Sequence, residues 1–218
     1  MDRYIEPDFS AAALITIDTQ RDTLDGQPLE IPGTSAILPN MRRLLEAFRR
    51  LQCPIVHIVR LYRPDGSNVD LCRRTAVQSG KTVLTPGAAG SQLAPGLLPD
   101  DRVHLDSDSL LSGSIQIVAG NEVIIYKPRW GAFYQTCLEG HLQRLGVTTT
   151  IFTGCNFPNC PRTSIMEASE RDFRVVLVRD AVSGLKAQDE TEMANIGVTL
   201  LSTEELLARI PRSGVPTA

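Results

Sequence analysis

Histidine is scarce. The 218 residues contain three, His57, His104 and His141. His57 sits inside an apolar run and His141 on the flank of a helical pattern, and both places suit a structural imidazole. His104 lies in "DDRVHLDSD" (Asp100 to Asp108), whose spacing matches neither a helical HExxH nor a calcium loop. A solvated acidic turn accounts for that stretch. A Ser–His or Cys–His mechanism therefore has no base, and any nucleophile here must be served by a carboxylate. The five cysteines are odd in number and contain no CxxC pattern, so neither a disulfide framework nor a zinc site is indicated. An excess of one charge is also missing. The 22 basic and 25 acidic residues leave a net charge of −3, against the basic surplus of a nucleic-acid-binding protein. No apolar run reaches membrane-spanning length, and "MDRYIEPDFSAAALITIDTQ" has no basic region before an apolar core. The expectation is a cytoplasmic chain with neither membrane nor nucleic-acid partner. No GxGxxG follows the first apolar run. "SGKT" (Ser79 to Thr82) lacks the upstream glycine of a phosphate loop, Thr75 standing in its place, and reads as a surface turn.

What is present is an ordinary globular composition, 42% hydrophobic and 22% charged, which does not indicate disorder. Apolar runs alternate with helical patterns. "AALITID" (Ala12 to Asp18), "PIVHIVR" (Pro54 to Arg60), "EVIIYK" (Glu122 to Lys127), "TTIFTG" (Thr149 to Gly154), "RVVLV" (Arg174 to Val178) and "VTLL" (Val198 to Leu201) read as strands. Between them, Met41, Leu44, Leu45, Phe48 and Leu51 recur at helical spacing. Helices are also expected over "TCLEGHLQRLG", Pro161 to Arg171, about Glu190 to Asn195, and "TEELLARI", the last opened by a Ser202–Glu205 capping box. Residues 61–120 are rich in Gly, Pro and Ser, with short apolar pieces such as "SIQIV", and read as a loop-rich insertion. Strands apolar on both faces and separated by helices imply a mostly parallel sheet covered on both sides. The expectation is one α/β domain over residues 1–218, a three-layer α/β/α sandwich.

In such sheets function gathers at the carboxyl ends of the strands. That rule singles out Asp18, Arg60, Lys127 and Gly154 with the residues just after each. A buried carboxylate and a buried ammonium need partners, so Asp18 and Lys127 should be paired. Cys160 precedes Pro161, and proline suits the first helical position. This places Cys160 at a helix N-cap, where a helix terminus and a nearby lysine both lower a thiol pKa.

Three segments then carry a resemblance. "LITIDTQRDTLDG", with Asp18, Gln20 and Asp22, "YKPRWGAFYQTCLEGHLQRLGV", with Lys127, Phe133, Thr136 and Leu138, and "TGCNFPNCPRTSIMEASERDFRVVLVRDA", with Gly154, Cys160, Thr163 and Asp180, are similar to the motifs of the isochorismatase-like cysteine hydrolase family. The match spans nearly the whole chain apart from residues 61–120. It implies the family's fold and an Asp18–Lys127–Cys160 triad that cleaves carbon–nitrogen bonds of amides and ureido groups. Cys160 would be the nucleophile, Asp18 the general base and acid, and Lys127 the residue that orients Asp18 and supports the thiolate. The resemblance also implies a cis peptide at Cys155–Asn156 and an oxyanion hole from the N–H groups of Asn156 and Cys160. It implies a small-molecule substrate and a homo-oligomer.

The chain departs from the family pattern at Asn156, Phe157 and Pro161, which bears on substrate identity. Nicotinamidases of the family carry an aspartate and several histidines after the second strand. Here that stretch is "RLYRPDGSNVDLCRR", so no metal and no other cofactor is expected. Arg60, Arg63, Arg73 and Arg74 in it suit a carboxylate-bearing substrate, or else acidic residues of a neighbouring subunit. Arg60, Trp130, Phe133 and Phe157 are the candidate substrate-binding residues. True isochorismatases cleave a vinyl ether without relying on the cysteine, so Cys160 argues against that reaction. A catalytically altered member, acting as an isochorismatase-type hydrolase or as a small-ligand binding protein, is the alternative.

Overall fold

Runs dense in β-branched residues form strands here because each is covered on both faces. A computed structural model describes residues 2–211 of the chain. In chain order its elements are β1 (Ala12–Ile17), α1 (Thr34–Arg50), β2 (Ile55–Val59), α2 (Leu71–Gln78), α3 (Ser107–Leu111), β3 (Gln116–Ala119), β4 (Glu122–Tyr126), α4 (Leu138–Arg144), β5 (Thr149–Gly154), α5 (Cys160–Ser169), β6 (Arg174–Val182), α6 (Ala187–Asn195), β7 (Thr199–Leu201) and α7 (Thr203–Arg209). Every residue of β1, β2 and β5 is buried, the pattern of a parallel sheet under helices rather than of an alternating one. The seven strands form one sheet in the order β3-β4-β2-β1-β5-β6-β7. All neighbours are parallel except β3 and β4.

Two apolar cores lie against the sheet. Leu44, Leu45 and Phe48 of α1 join Leu206 of α7 on one face, and Leu142 of α4, Ile165 of α5 and Met193 of α6 pack on the other. This is the three-layer α/β/α sandwich. The capping box of α7 is formed: Ser202 Oγ accepts the Glu205 N–H at 3.2 Å, and Glu205 accepts the Ser202 N–H at 2.7 Å.

Residues 61–120 are more structured than their composition implies, since they hold α2, α3 and β3. β3 is a half-exposed edge strand of four residues, too short to show a sustained period of two in the sequence.

β1 is flanked by β2 on one side and β5 on the other, so the chain builds outward through β2 and β4, then crosses over β1 to start β5. At this switch point a crevice opens beyond the carboxyl ends of β1 and β5. Gly154 closes the approach of the two strands. Its φ is 109°, and a Cβ there would lie 2.2 Å from the Ile17 carbonyl oxygen and 2.6 Å from the Ile17 nitrogen. Only glycine fits.

Candidate active site

Asp18 is the first residue past β1 and adopts φ 48°, the left-handed region that side chains avoid but Asp and Asn tolerate best. Its backbone is held from several directions. The N–H donates to the Ile58 carbonyl at 2.9 Å, and the carbonyl accepts from the Gln20 N–H at 2.9 Å and from the Cys155 thiol at 3.1 Å. Such over-determination is what maintains a strained residue.

Lys127 follows β4, and its side chain is wholly buried. Its Nζ donates to Asp18 Oδ2 at 2.8 Å and to the Arg129 carbonyl at 3.1 Å. The predicted pairing is present, and it satisfies two otherwise costly buried charges. Asp18 Oδ1 has no partner among the described residues.

Cys160 opens α5 and lines the same cavity as Asp18. Two expectations about it change. The N-cap is Asn159, with Cys160 the first helical residue and Pro161 the second, another position whose N–H the helix does not use. The thiol is also not lowered. Burial first, and the Asp18 carboxylate second, push Cys160 up to about 12, while Lys127 and Arg60 pull it down and lose. Lys127 spends its charge on Asp18. Cys160 is therefore held as a neutral thiol, on the same cavity as a carboxylate with one oxygen that has no partner among the described residues.

The Cys155–Asn156 peptide is cis. Neither the Asn156 nor the Cys160 N–H has a hydrogen-bond partner among the described residues, whereas the Phe157 N–H donates to the Ser183 carbonyl at 2.7 Å. Ser164 Oγ donates to the Cys160 carbonyl at 2.7 Å and accepts the Ala132 N–H at 3.0 Å, tying α5 to the segment that follows Lys127.

The cavity, of about 20 Å³, is lined by Asp18, Cys160, Cys155 and Asn156 on the sheet side. Arg60, Tyr62, Arg73, Leu29, Ile31 and Leu84 line the other. Arg60 is buried, and its Nη2 donates to the Asp70 carboxylate and, at 3.3 Å, to the Tyr62 hydroxyl. Arg63 is exposed, and Arg74 folds back onto the Val69 carbonyl at 3.0 Å, so neither reaches the cavity. Trp130 stacks against the guanidinium carbon of Arg73 at 4.8 Å and of Arg60 at 5.9 Å, placing it behind the arginines. Phe133 and Phe157 are buried in the core beneath the site and do not line the cavity. Phe133 packs against Phe173 with ring centroids 5.8 Å apart, and nothing in the local sequence of Phe133 or Phe157 separates a core ring from a pocket ring.

Sequence reasoning missed Tyr62 and Asp70, which lie in the stretch read as insertion and whose roles arise only from their contact with Arg60. It quoted Gln20 as a motif residue without a role. Gln20 Oε1 accepts the Arg60 N–H at 2.8 Å and its Nε2 donates to the Arg60 carbonyl at 2.8 Å, so the arginine's backbone is pinned to the loop after β1.

The lining offers a metal little. Its one carboxylate is paired with Lys127, two guanidinium groups face it, and no histidine takes part. No cluster of three His, Cys, Asp or Glu side chains suited to a metal occurs among the described residues. His57 is buried between Thr16 and Glu122, each at 2.8 Å, as a structural imidazole.

Comparison with known proteins shows what the chain as a whole is similar to. The Isochorismatase domain model matches residues 12–205. A probable inactive nicotinamidase of Arabidopsis thaliana is 29% identical over 193 residues, covering 85% of this chain and 89% of that protein. N-carbamoylsarcosine amidase of an Arthrobacter species is 30% identical over 171 residues, 78% of this chain and 58% of that enzyme. The crystal structure of an isochorismatase family protein from Desulfovibrio vulgaris superposes with a TM-score of 0.76 at 28% identity, over 91% of this chain and 99% of the other.

Proposed function

The chain belongs to the isochorismatase family of hydrolases, and from that premise we propose that it cleaves a non-peptide carbon–nitrogen bond through an acyl intermediate on Cys160. The observation that carries this reading is the convergence of Asp18 and Cys160 on one cavity, with Lys127 locked to Asp18 at 2.8 Å behind it.

The chemistry follows from the protonation states. Asp18 Oδ1 takes the proton of the Cys160 thiol as the sulfur attacks the carbonyl carbon of an amide, carbamoyl or ureido group. The N–H groups of Asn156 and Cys160 serve the developing oxyanion. Protonated Asp18 then delivers its proton to the departing nitrogen, leaving a thioester. Water, deprotonated by Asp18, attacks that thioester, and the returning proton restores the thiol. Lys127, 2.8 Å from Oδ2, holds the Asp18 carboxyl in place and leaves Oδ1 to carry the proton.

A screen of small amides, carbamoyl amino acids and ureido acids for ammonia release tests the function. Mass spectrometry of a quenched reaction should show the acyl group on the peptide containing Cys160. Ammonia release by a Cys160→Ala variant at the wild-type rate would falsify the mechanism. The similarity to a probable inactive relative supplies the second reading, a protein that binds a small ligand without turnover. Saturable binding with no ammonia from any substrate class would favour it. The proposal also takes the chain to be a cytoplasmic homo-oligomer acting on a small molecule, its assembly measurable by light scattering. No described helix is long and apolar enough to cross a membrane.

A further inference from the structure

Arg60 is 2% exposed, yet its Nη1 has no hydrogen-bond partner among the described residues. Its other contacts are all taken up by scaffold. Nη2 goes to Asp70 and Tyr62, Gln20 grips the backbone on both sides, and the rings of Tyr62 and Trp130 lie 5.3 and 5.9 Å from the guanidinium carbon. Buried polar groups in folded proteins are nearly always paired, so a rigidly held guanidinium with an unmet donor at a cavity wall marks the place of an acceptor that arrives from outside. The cavity it lines is the one that contains Asp18 and Cys160.

The charges around this cavity point to the sign of that acceptor. Asp18 is balanced by Lys127. Asp70 alone faces both Arg60 and Arg73, the latter at 3.8 Å, so two guanidinium groups share one carboxylate. Asp22, the nearby carboxylate on the loop after β1, turns to the Leu84 N–H at 2.6 Å and does not line the cavity. The thiol adds no charge. One positive charge is left over at the cavity that Cys160 lines, shared between buried Arg60 and an Arg73 side chain that is 30% exposed.

We propose that Arg60, through Nη1 and with Arg73 beside it, anchors the carboxylate of a monoanionic substrate, making the site selective for amido or ureido acids over neutral amides. This rests on the cysteine-hydrolase reading above and names the substrate class that reading leaves open. One surplus charge and one unmet donor edge suit a planar carboxylate better than a doubly charged phosphate. Trp130, expected to wall the pocket, is by this reading a positioning residue that stacks on both arginines. Asp70 and Tyr62 set the angle of the fork.

The test uses two alkylating agents that differ only in the group to be recognised, iodoacetate and iodoacetamide, with N-acetylcysteine as the free-thiol reference. Labelling of the Cys160 peptide is followed by mass spectrometry on the intact protein. The rate ratio of iodoacetate to iodoacetamide at Cys160 should exceed that of N-acetylcysteine by at least about tenfold, the worth of one charged hydrogen bond. R60Q combined with D70N removes the anchor without stranding a buried carboxylate, and should return the ratio to within about twofold of the reference. R73Q leaves the buried pair intact and should lower the ratio in part, which keeps the proposal open to test if the double variant does not fold. A wild-type ratio equal to the reference overturns the anchor, as does a folded double variant that keeps the wild-type ratio. The readout needs no turnover. An intact preference without ammonia release defeats the hydrolase reading alone, whereas equal turnover of an amido acid and its neutral amide defeats the anchor alone.

Discussion

Cys160 shows how one residue's setting decides the order of chemical steps. A helix start and a lysine 2.8 Å from the Asp18 carboxylate look like a recipe for a thiolate. Burial and the carboxylate itself win instead and push the thiol up to about 12. The consequence is testable without a substrate. At pH 7, iodoacetamide should label exposed Cys72 well before Cys160. Replacing Asp18, Lys127 or Cys160 in turn (Asp18→Asn, Lys127→Ala, Cys160→Ala) should each cut turnover by about 10⁴-fold, as removal of a member of a coupled triad does. Their stabilities should differ. Lys127→Ala strands a buried carboxylate and should cost about 3–5 kcal/mol in urea unfolding, and Asp18→Asn, which keeps a residue tolerant of φ 48°, should cost less. The raised thiol also has a pH signature. The folded value of about 12 stands above the ordinary 9.0, so the folded state keeps a proton that the unfolded chain releases between them. Stability is full below about pH 9 and falls above it by about 1.4 kcal/mol per pH unit. Burial raises Cys155 in the same direction. Urea midpoints at pH 8 and pH 10 should therefore diverge, and Cys160→Ala should narrow the gap.

At the scale of elements, two contacts hold the strand ends in register. Gly154 lets β5 approach β1 so closely that its missing side chain faces Ile17 backbone atoms at 2.2 and 2.6 Å. Gly154→Ala must displace backbone at a positive φ, so a loss of about 2–4 kcal/mol is expected by thermal unfolding, together with lost turnover as Asp18 and Cys155 part. At the other end of the sheet, Glu122 of β4 accepts from Arg49 of α1 at 2.7 and 2.8 Å and meets His57 of β2 at 2.8 Å. Burial alone would raise the Glu122 carboxyl, but Arg49 and His57 outweigh it and hold the pKa down to about 2 from 4.5. A depressed carboxylate stabilises the fold above its unfolded pKa, and that contribution disappears as the pH falls from about 4.5 toward 2. Glu122→Gln should flatten this acid limb in a pH series of thermal unfolding.

The whole molecule presents a closed site. A cavity of about 20 Å³ admits little more than a water molecule, so a substrate requires its outer wall to move. That wall belongs to a small cluster of its own, Tyr62, Val69, Val77, Val83 and Leu84 with Leu29 against it, separate from the two large cores. Hydrogen exchange should show residues 24–33 and 79–88 changing protection when Cys160 is acylated, with α1 and α5 unchanged. Unchanged exchange in both loops would place the entrance elsewhere. Activity should survive exhaustive chelation and dialysis, because the lining arginines repel a cation. Restoration by added zinc after loss on chelation would contradict this.

The catalytic candidates were legible in the sequence because each stands where a β-branched run ends. Asp18 after "LITI" and Lys127 after "EVIIY" follow from periodicity and the cost of burying charge, and the parallel sheet follows from strands apolar on both faces. Cys160 stood out by its place before a helix-starting proline, and the resemblance of three ordered motifs joined the three. The tertiary structure decided what depends on neighbours distant in sequence. It set the thiol's protonation, because desolvation is a property of packing and not of Cys160 or Pro161. It moved Phe133 and Phe157 into the core and Trp130 behind the arginines, since an aromatic side chain bears no local mark of what it will face. It brought Asp70 and Tyr62 to Arg60 across a stretch whose composition reads as loop, and left Nη1 without a partner among the described residues because both of these neighbours bond Nη2.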